Sequence, residues 1–148
     1  MATTQDFLAT SSITIAAPRS DVWSALVTPA AIKQYMFGAE VRSDWKEGSP
    51  ITWSGEFQGK RYQDKGKIIR MQPERTLQYT HFSPLSGQPE TPENYHTVTI
   101  ELADVGGKTE VTLTQDNNPT EDARKHSEQN WNTMLQGLKK FVETNAKR

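Results

Sequence analysis

Apolar and polar side chains alternate along this chain with two different periods. A first strand is predicted at residues 7–16, where β-branched residues recur at every second position. The same period of two runs through residues 40–117 and is broken by turn signals such as Gly106-Gly107. Each strand has one apolar face, so the pattern predicts an antiparallel sheet with one side against a core and the other in water.

Two short helices are predicted between the first strand and the rest of the sheet. Pro18 suits a first helical position, and Val22 and Leu26 follow it at helical spacing. Thr28 can cap a second helix that begins at the next residue, a proline, and runs over residues 29–36. We therefore expect a helical corner after one strand.

The last predicted element is a long amphipathic helix. Asn118, Pro119 and Glu121 supply a cap, a first-turn proline and an early acid, which is close to a capping box. An apolar stripe at helical spacing then consists of Trp131, Met134, Leu135, Leu138, Phe141 and Val142. Before this stripe the same face is mostly polar. We expect the carboxyl half to pack on the sheet and the amino half to cover a wetter or emptier space.

Composition narrows the class of protein. The chain has 148 residues, no cysteine, 34% apolar side chains and a net charge of −1. The length predicts one domain over residues 1–148, and the missing cysteines exclude disulfide frameworks and thiolate metal sites.

Near-neutral charge argues against nucleic acid and anionic membrane as partners, and the basic residues between 60 and 75 are interpreted as a solvated convex face. No apolar run is long enough to span a membrane and the first residues do not resemble a signal peptide. We therefore expect a cytoplasmic monomer.

Signatures of catalysis are missing from the sequence. It has no cysteine nucleophile, no GxSxG turn and no HExxH helix. His81 and His96 can approach across strands, but the spacing places no acid beside them to complete a metal-binding trio. We therefore expect no metal and no cofactor; the residues favour a role that is not enzymatic, and an enzyme stays open as an alternative.

The order of the motifs resembles a known architecture. The segments that carry the resemblance are 17–26, 66–68, 73–79, 109–113 and Asn130-Trp131. Together they resemble the α+β helix-grip fold of START domains, the birch pollen allergen and the wider SRPBCC superfamily. They are most similar to the family named for the homologue of the activator of the heat-shock protein 90 ATPase. The resemblance extends from about Ile13 to Phe141.

The resemblance implies a sheet that curls around the last helix and leaves a cavity, closed at one end by the two short helices. Alternation in the strands then puts large aromatic and several polar side chains on the concave side. The predicted ligand-binding residues are Phe37, Trp53, Phe57, Tyr62, Tyr79, His81, His96, Gln115, Ser127 and Asn130. An inward polar group needs a partner, which can be a neighbouring residue, a water or a ligand. The large aromatics serve equally well as core, and the histidines can also lie at strand ends in water.

These observations leave separate functional classes open. The first is the binding of a small lipophilic or aromatic molecule in the cavity, with no chemistry or only mild acid–base help from a tyrosine or histidine. The alternative, which the family name implies, is a co-chaperone module that stimulates a chaperone ATPase. A cyclase or hydrolase, as in some superfamily members, is a third. A cavity of several hundred Å³ favours a ligand, whereas a filled interior favours a protein partner.

Overall fold

In the computed structural model, a curved antiparallel sheet wraps around one long helix. The structure describes residues 7–36, 38–57, 59–83, 89–118 and 120–146, with only the backbone of residues 57 and 146. The strands are β1 (Phe7–Ile15), β2 (Glu40–Ser43), β3 (Pro50–Phe57), β4 (Lys60–Gln72), β5 (Thr76–His81), β6 (His96–Val105) and β7 (Lys108–Asn118). The helices are α1 (Arg19–Val27), α2 (Pro29–Tyr35) and α3 (Glu121–Ala146), with a 3-10 turn at Pro92–Asn94.

The core lies between the concave face of the sheet and the helices. The described strands follow the order β1-β7-β6-β5-β4-β3-β2, and every neighbouring pair is antiparallel. Ile68 and Leu113 of the sheet and Leu135 and Leu138 of α3 are fully buried. This arrangement confirms the predicted helix-grip fold and the apolar stripe of the last helix. None of the described helices is both long enough and apolar enough to cross a membrane.

One predicted helix cap is in the right place but makes no capping bond, and the other is misplaced. Thr28 occupies the cap position of α2, but its hydroxyl donates to the carbonyl oxygen of Ser24 one turn earlier, at 2.5 Å. At α3 the capping side chain is Thr120, whose hydroxyl accepts from the backbone N–H of Ala123 at 3.0 Å. Asn118, the predicted cap, ends β7 and is buried there. The sequence therefore correctly predicted a polar cap at the start of α3 but placed that cap two residues too early.

Side chains of α3 cover the open edge of the sheet at β1. The carboxylate of Glu128 accepts a hydrogen bond from the backbone N–H of Thr10 at 3.0 Å. The ammonium group of Lys139 donates to the carbonyl oxygen of Thr14 at 3.0 Å. These backbone groups point away from β7, so they are available for pairing with another strand unless they are bonded. The helix therefore both closes the core and protects an edge.

Strand β4 bends near Gly66, where its pairing with β5 is irregular: Lys65 forms an isolated bridge with Phe82, and the regular pairing begins at Ile68. A methyl group on Gly66 would lie 1.7 Å from the carbonyl oxygen of Thr80, so only glycine permits this approach. On one side of the bend, Lys65 and Phe82 exchange backbone hydrogen bonds of 3.0 and 2.8 Å. On the other side, the N–H of Lys67 donates to the side-chain hydroxyl of Thr80 at 3.0 Å.

Candidate functional site

Four of the predicted ligand-binding residues form a ring cluster on the concave face. The ring centres of Trp53 and Tyr79 are 5.1 Å apart, as are those of Trp53 and His81, the latter pair in an edge-on arrangement. His81 and His96 are directly opposite each other on β5 and β6, with ring centres 6.4 Å apart and ring planes inclined by 26°. The structure therefore brings together residues from three strands that the sequence placed on one face.

Asp64 joins this cluster, although sequence reasoning missed it. Its Oδ2 atom lies 2.8 Å from Nε2 of His81, and the side chains are 15% and 29% exposed, respectively. Asp64 is directly opposite Trp53 in the register of β3 with β4, so the two side chains share one face. Its other oxygen, Oδ1, is buried and has no hydrogen-bond partner among the described residues. Asp64 shares the strand parity of Tyr62, and that parity was the one sequence signal that could have found it.

The hydrogen bonds of the two imidazoles define where their protons lie. A carboxylate can only accept, so Nε2 of His81 carries the proton that is donated to Asp64. A carbonyl oxygen also only accepts, so Nδ1 of His96 donates to the backbone oxygen of Asp116 at 3.1 Å. In neutral rings, Nδ1 of His81 and Nε2 of His96 therefore hold the lone pairs. Neither atom has a hydrogen-bond partner within the described ranges.

The tyrosines near the cluster are held in the protonated form. Burial raises the pKa of Tyr79 well above its ordinary value. Burial also raises the pKa of Tyr62, and the negative charge of Asp64 adds to the effect. The Tyr62 hydroxyl lies beside Gly55 on the neighbouring strand, where a methyl group would approach it to 2.7 Å. At neutral pH both phenols can thus donate hydrogen bonds but cannot act as bases.

Gln115 and Ser127 belong to a different network, at the junction of β7 with α3. The indole N–H of Trp131 donates to the side-chain oxygen of Gln115 at 2.6 Å. The side-chain oxygen of Asn118 accepts from Gln115 at 3.3 Å and from Ser127 at 2.8 Å. The amide of Asn118 in turn donates to the backbone oxygen of Phe7 at 2.8 Å. These polar groups are paired inside the protein, which fixes the amino half of α3 to the sheet.

Three other predicted site residues are not part of either group. The side chain of Asn130 is exposed on α3. Phe37 lies outside the described residues, as does the side chain of Phe57. A role for these residues therefore stays a prediction.

The space behind the ring cluster is small. A cavity of about 20 Å³ lies there, with a lining that includes Tyr35, Met36, Trp53, Tyr79 and Met134. A space of that size holds about one water, whereas ligand pockets usually measure roughly 300–1,000 Å³. The large cavity that the resemblance implied is thus not preformed at this end of the described structure.

A larger groove lies on the other side of the helices. It measures about 290 Å³, and Asp21, Thr28 and Asn145 lie at its polar rim, while Ala31 and Phe141 supply apolar surface. Its lining comes from α1, α2 and the end of α3. Sequence periodicity does not predict such a groove, because it depends on how the three helices meet.

The chemistry available on the concave face is hydrogen bonding, ring stacking and proton acceptance. The part of the chain that the structure describes contains no group of three or more His, Asp or Glu side chains positioned to hold one metal ion. The ring cluster instead offers one orphaned carboxylate oxygen and two imidazole nitrogens as acceptors. Such an arrangement can bind a molecule that presents an aromatic ring and a hydrogen-bond donor.

Comparisons with known proteins agree on the fold. Residues 16–143 match the family described as Activator of Hsp90 ATPase homolog 1-like protein. The chain is similar to the solution structure of ChR145 from Cytophaga hutchinsonii, at 56% identity over 96% of this chain and 97% of that chain, with a TM-score of 0.83. It is similar in fold to the Aha1 dimer from Colwellia psychrerythraea, at 23% identity over 93% and 96% of the two chains, with a TM-score of 0.73. Ara h 8.0201 shares the fold at 12% identity over 95% and 99%, with a TM-score of 0.74. The comparison with curated proteins finds no match.

Proposed function

We infer that this chain, which belongs to the family of activator of Hsp90 ATPase homolog 1-like proteins, binds a small lipophilic or aromatic molecule on the concave face of its sheet. The observation that carries this proposal is the half-buried row of Asp64, His81 and His96 beside the Trp53 ring. Polar groups so placed are neither sealed in the core nor fully solvated. That is the usual character of groups that orient a ligand.

The position of α3 supports a site at this end of the sheet. The helix lies mainly against β1 and β7, at one edge, and the short helices α1 and α2 contact its other surfaces. The row of polar side chains lies on β4, β5 and β6, nearer the centre of the sheet. A planar molecule can therefore approach the row without displacing α3.

The chemistry of the row favours a ligand with a hydrogen-bond donor. Oδ1 of Asp64 is buried without a partner among the described residues. Leaving such an acceptor unpaired costs about 1–3 kcal/mol, which a hydroxyl or amine of the ligand would recover. The edges and faces of Trp53 and His81 supply the apolar contact for a ring.

The methionines of the inner cavity give a larger ligand a way to enter. Met36 and Met134 line the small space behind Trp53. Methionine is unbranched and adapts its shape more readily than other core residues. A ligand whose tail extends past Trp53 is expected to displace these two side chains rather than the backbone.

The test is a titration followed by nuclear magnetic resonance. Flavonoid, fatty-acid and sterol-like pools are added separately while backbone amide and indole N–H signals are recorded. We expect saturable shifts at Trp53, His81 and His96 with at least one pool, and weaker binding after His96→Gln. Gln78→Ala is the matched control, because Gln78 lies on the opposite face of β5 and bonds to Thr99 there. If no pool produces saturable shifts at these residues, or if the control weakens binding equally, the proposal is wrong.

A second candidate is stimulation of a chaperone ATPase. The specific observation in its favour is the filled interior of about 20 Å³, which leaves little preformed room for an enclosed ligand. The family description and the similarity to an Aha1 dimer point in the same direction. The experiment measures ATP turnover by a purified Hsp90-type chaperone with and without this protein. An unchanged rate across a range of ratios would remove this candidate.

A further inference from the structure

We propose that the groove between the short helices and the end of α3 binds a small organic ammonium ion, that is, a protonated primary amine attached to an apolar chain or ring. The groove measures about 290 Å³. That volume is close to the lower end of the range of roughly 300–1,000 Å³ that is typical of ligand pockets. The lining that the structure describes comes from the three helices and from Thr28, which joins α1 to α2. The proposal is therefore independent of any ligand on the concave face of the sheet.

Helix α1 has a second face, which lines this groove. Asp21, Ser24, Ala25 and Thr28 follow one another at spacings of three and four residues, which places them along one side of the helix. All four line the groove. Val22, on another side of the same helix, is fully buried in the core. The helix thus anchors itself through one side and offers a polar row on the other.

The polar groups of the groove are arranged mainly to accept hydrogen bonds. The hydroxyl of Thr28 donates its hydrogen to the carbonyl oxygen of Ser24 at 2.5 Å, so its oxygen can only accept from a ligand. The side-chain amide of Asn145 donates to the carbonyl oxygen of Phe141 at 2.6 Å, and its own side-chain oxygen stays available as an acceptor. The carboxylate of Asp21 is also an acceptor, and no other described residue pairs with it. An ammonium group has three donors and no acceptor, which suits this lining.

The charge of the lining favours a cation over a neutral molecule. Asp21 contributes a negative charge, and the described lining contains no lysine, arginine or histidine to balance it. Phe141 adds an aromatic ring, which attracts a cation held over its face. Ala31 and Val142 supply apolar surface for the chain or ring of the ligand. Near solvent, an ion pair or a cation–π contact strengthens binding by up to about fivefold each.

The test is a titration of the full chain with cyclohexylammonium chloride, followed through the backbone amide signals by nuclear magnetic resonance. We expect saturable shifts at Ser24, Thr28 and Asn145. Cyclohexanol and cyclohexanecarboxylate are the matched ligands, because they keep the ring and replace the cation by a neutral or a negative group. Cyclohexanol should bind about fivefold more weakly, and the carboxylate should produce no saturable shift in the groove. The signals of the groove are read separately from those of His81, so binding on the concave face does not affect the result.

A pair of variants tests the role of the carboxylate. Asp21→Asn keeps the shape of the groove and removes its charge, so it should abolish the preference for cyclohexylammonium over cyclohexanol. Asp122→Asn is the matched control, because Asp122 is likewise an acid in the first turn of a helix. At 1.5 Å per residue, Asp122 lies roughly 35 Å from Asn145 along α3, and its replacement should leave the preference unchanged.

Three results would overturn the proposal. The first is the lack of any saturable shift in the groove with cyclohexylammonium. The second is equal affinity for the ammonium ion and for cyclohexanol or the carboxylate in the unmodified protein, a comparison that depends on no variant. The third is a preference for the cation that survives in Asp21→Asn or that is lost equally in both variants, with amide spectra showing that each is folded.

Discussion

Replacing Gly66 with alanine tests whether the bend in β4 shapes both the sheet and the site. The added methyl group would lie 1.7 Å from the carbonyl oxygen of Thr80 and 2.6 Å from its carbonyl carbon. Carbon–oxygen contacts in proteins are usually about 3.3 Å or longer, so the two strands must separate by about 1.6 Å. The obstacle is backbone, which cannot rotate away as a flexible side chain can.

The cost follows from the hydrogen bonds beside the bend. Lys65 and Phe82 share backbone bonds of 3.0 and 2.8 Å, and Lys67 donates to Thr80 at 3.0 Å. A separation of this size lengthens them beyond hydrogen-bonding distance, and each is worth about 0.5–1.5 kcal/mol. We therefore expect Gly66→Ala to lower the free energy of unfolding by about 2–4 kcal/mol, which corresponds to a fall in Tm of about 10 °C.

Gly55→Ala is the matched control on the neighbouring strand. There the methyl group would approach the hydroxyl of Tyr62 to 2.7 Å, but the tip of that side chain can move. We expect a loss of less than about 1 kcal/mol. Urea unfolding followed by tryptophan fluorescence, at constant m value, compares the two variants. Equal destabilisation by both substitutions would refute the argument that the close approach of β4 to β5 requires glycine at residue 66.

Three further predictions concern the core, the helix junction and the sheet edge. Because burial raises the pKa of Tyr79 above the ordinary value of 10.0, the folded state keeps a proton that the unfolded state loses above that pH. Stability should fall above about pH 10, and burial of Tyr35 acts in the same direction because it also raises that pKa. Tyr79→Phe should therefore reduce the slope by one proton's share, up to ~1.4 kcal/mol per pH unit, in urea unfolding between pH 9 and 11.5; an unaltered slope contradicts this. Trp131→Phe removes the hydrogen-bond donor to the buried side chain of Gln115, so it should lower the free energy of unfolding by about 1–2 kcal/mol in the same assay. An unchanged urea midpoint would show that this hydrogen bond contributes nothing to stability. Glu128→Ala frees the N–H of Thr10 at the edge of the sheet, so light scattering should detect self-association at high concentration, and a strict monomer would count against edge protection by α3.

The order of elements and the core stripe could be predicted from the sequence because periodicity is a local property. Trp53 and Tyr79 were placed inside by parity, and both are buried. Leu135 and Leu138 were placed by the helical period, and both are buried as predicted. The turn at Gly106-Gly107 was equally readable, since both residues have positive φ angles that favour glycine.

Contacts between distant residues needed the tertiary structure. Asp64 and His81 lie on β4 and β5 and are 17 residues apart in the chain, and the two strands come closest where Gly66 lies against the carbonyl group of Thr80. The alternation of apolar and polar residues carries no information about the distance between two strands. The bond from Thr10 to Glu128 spans 118 residues and is equally invisible to local pattern.

The volume of the interior is the clearest case of a property that the sequence by itself did not determine. Alternation and helical period decided which side chains point inward, Trp53 and Tyr79 among them. The structure decided that those side chains leave only about 20 Å³ between them. The direction in which a side chain points is set locally by backbone geometry. The volume of an internal cavity, in contrast, is the small difference between the volume that the curved sheet encloses and the summed volume of all the side chains packed inside it.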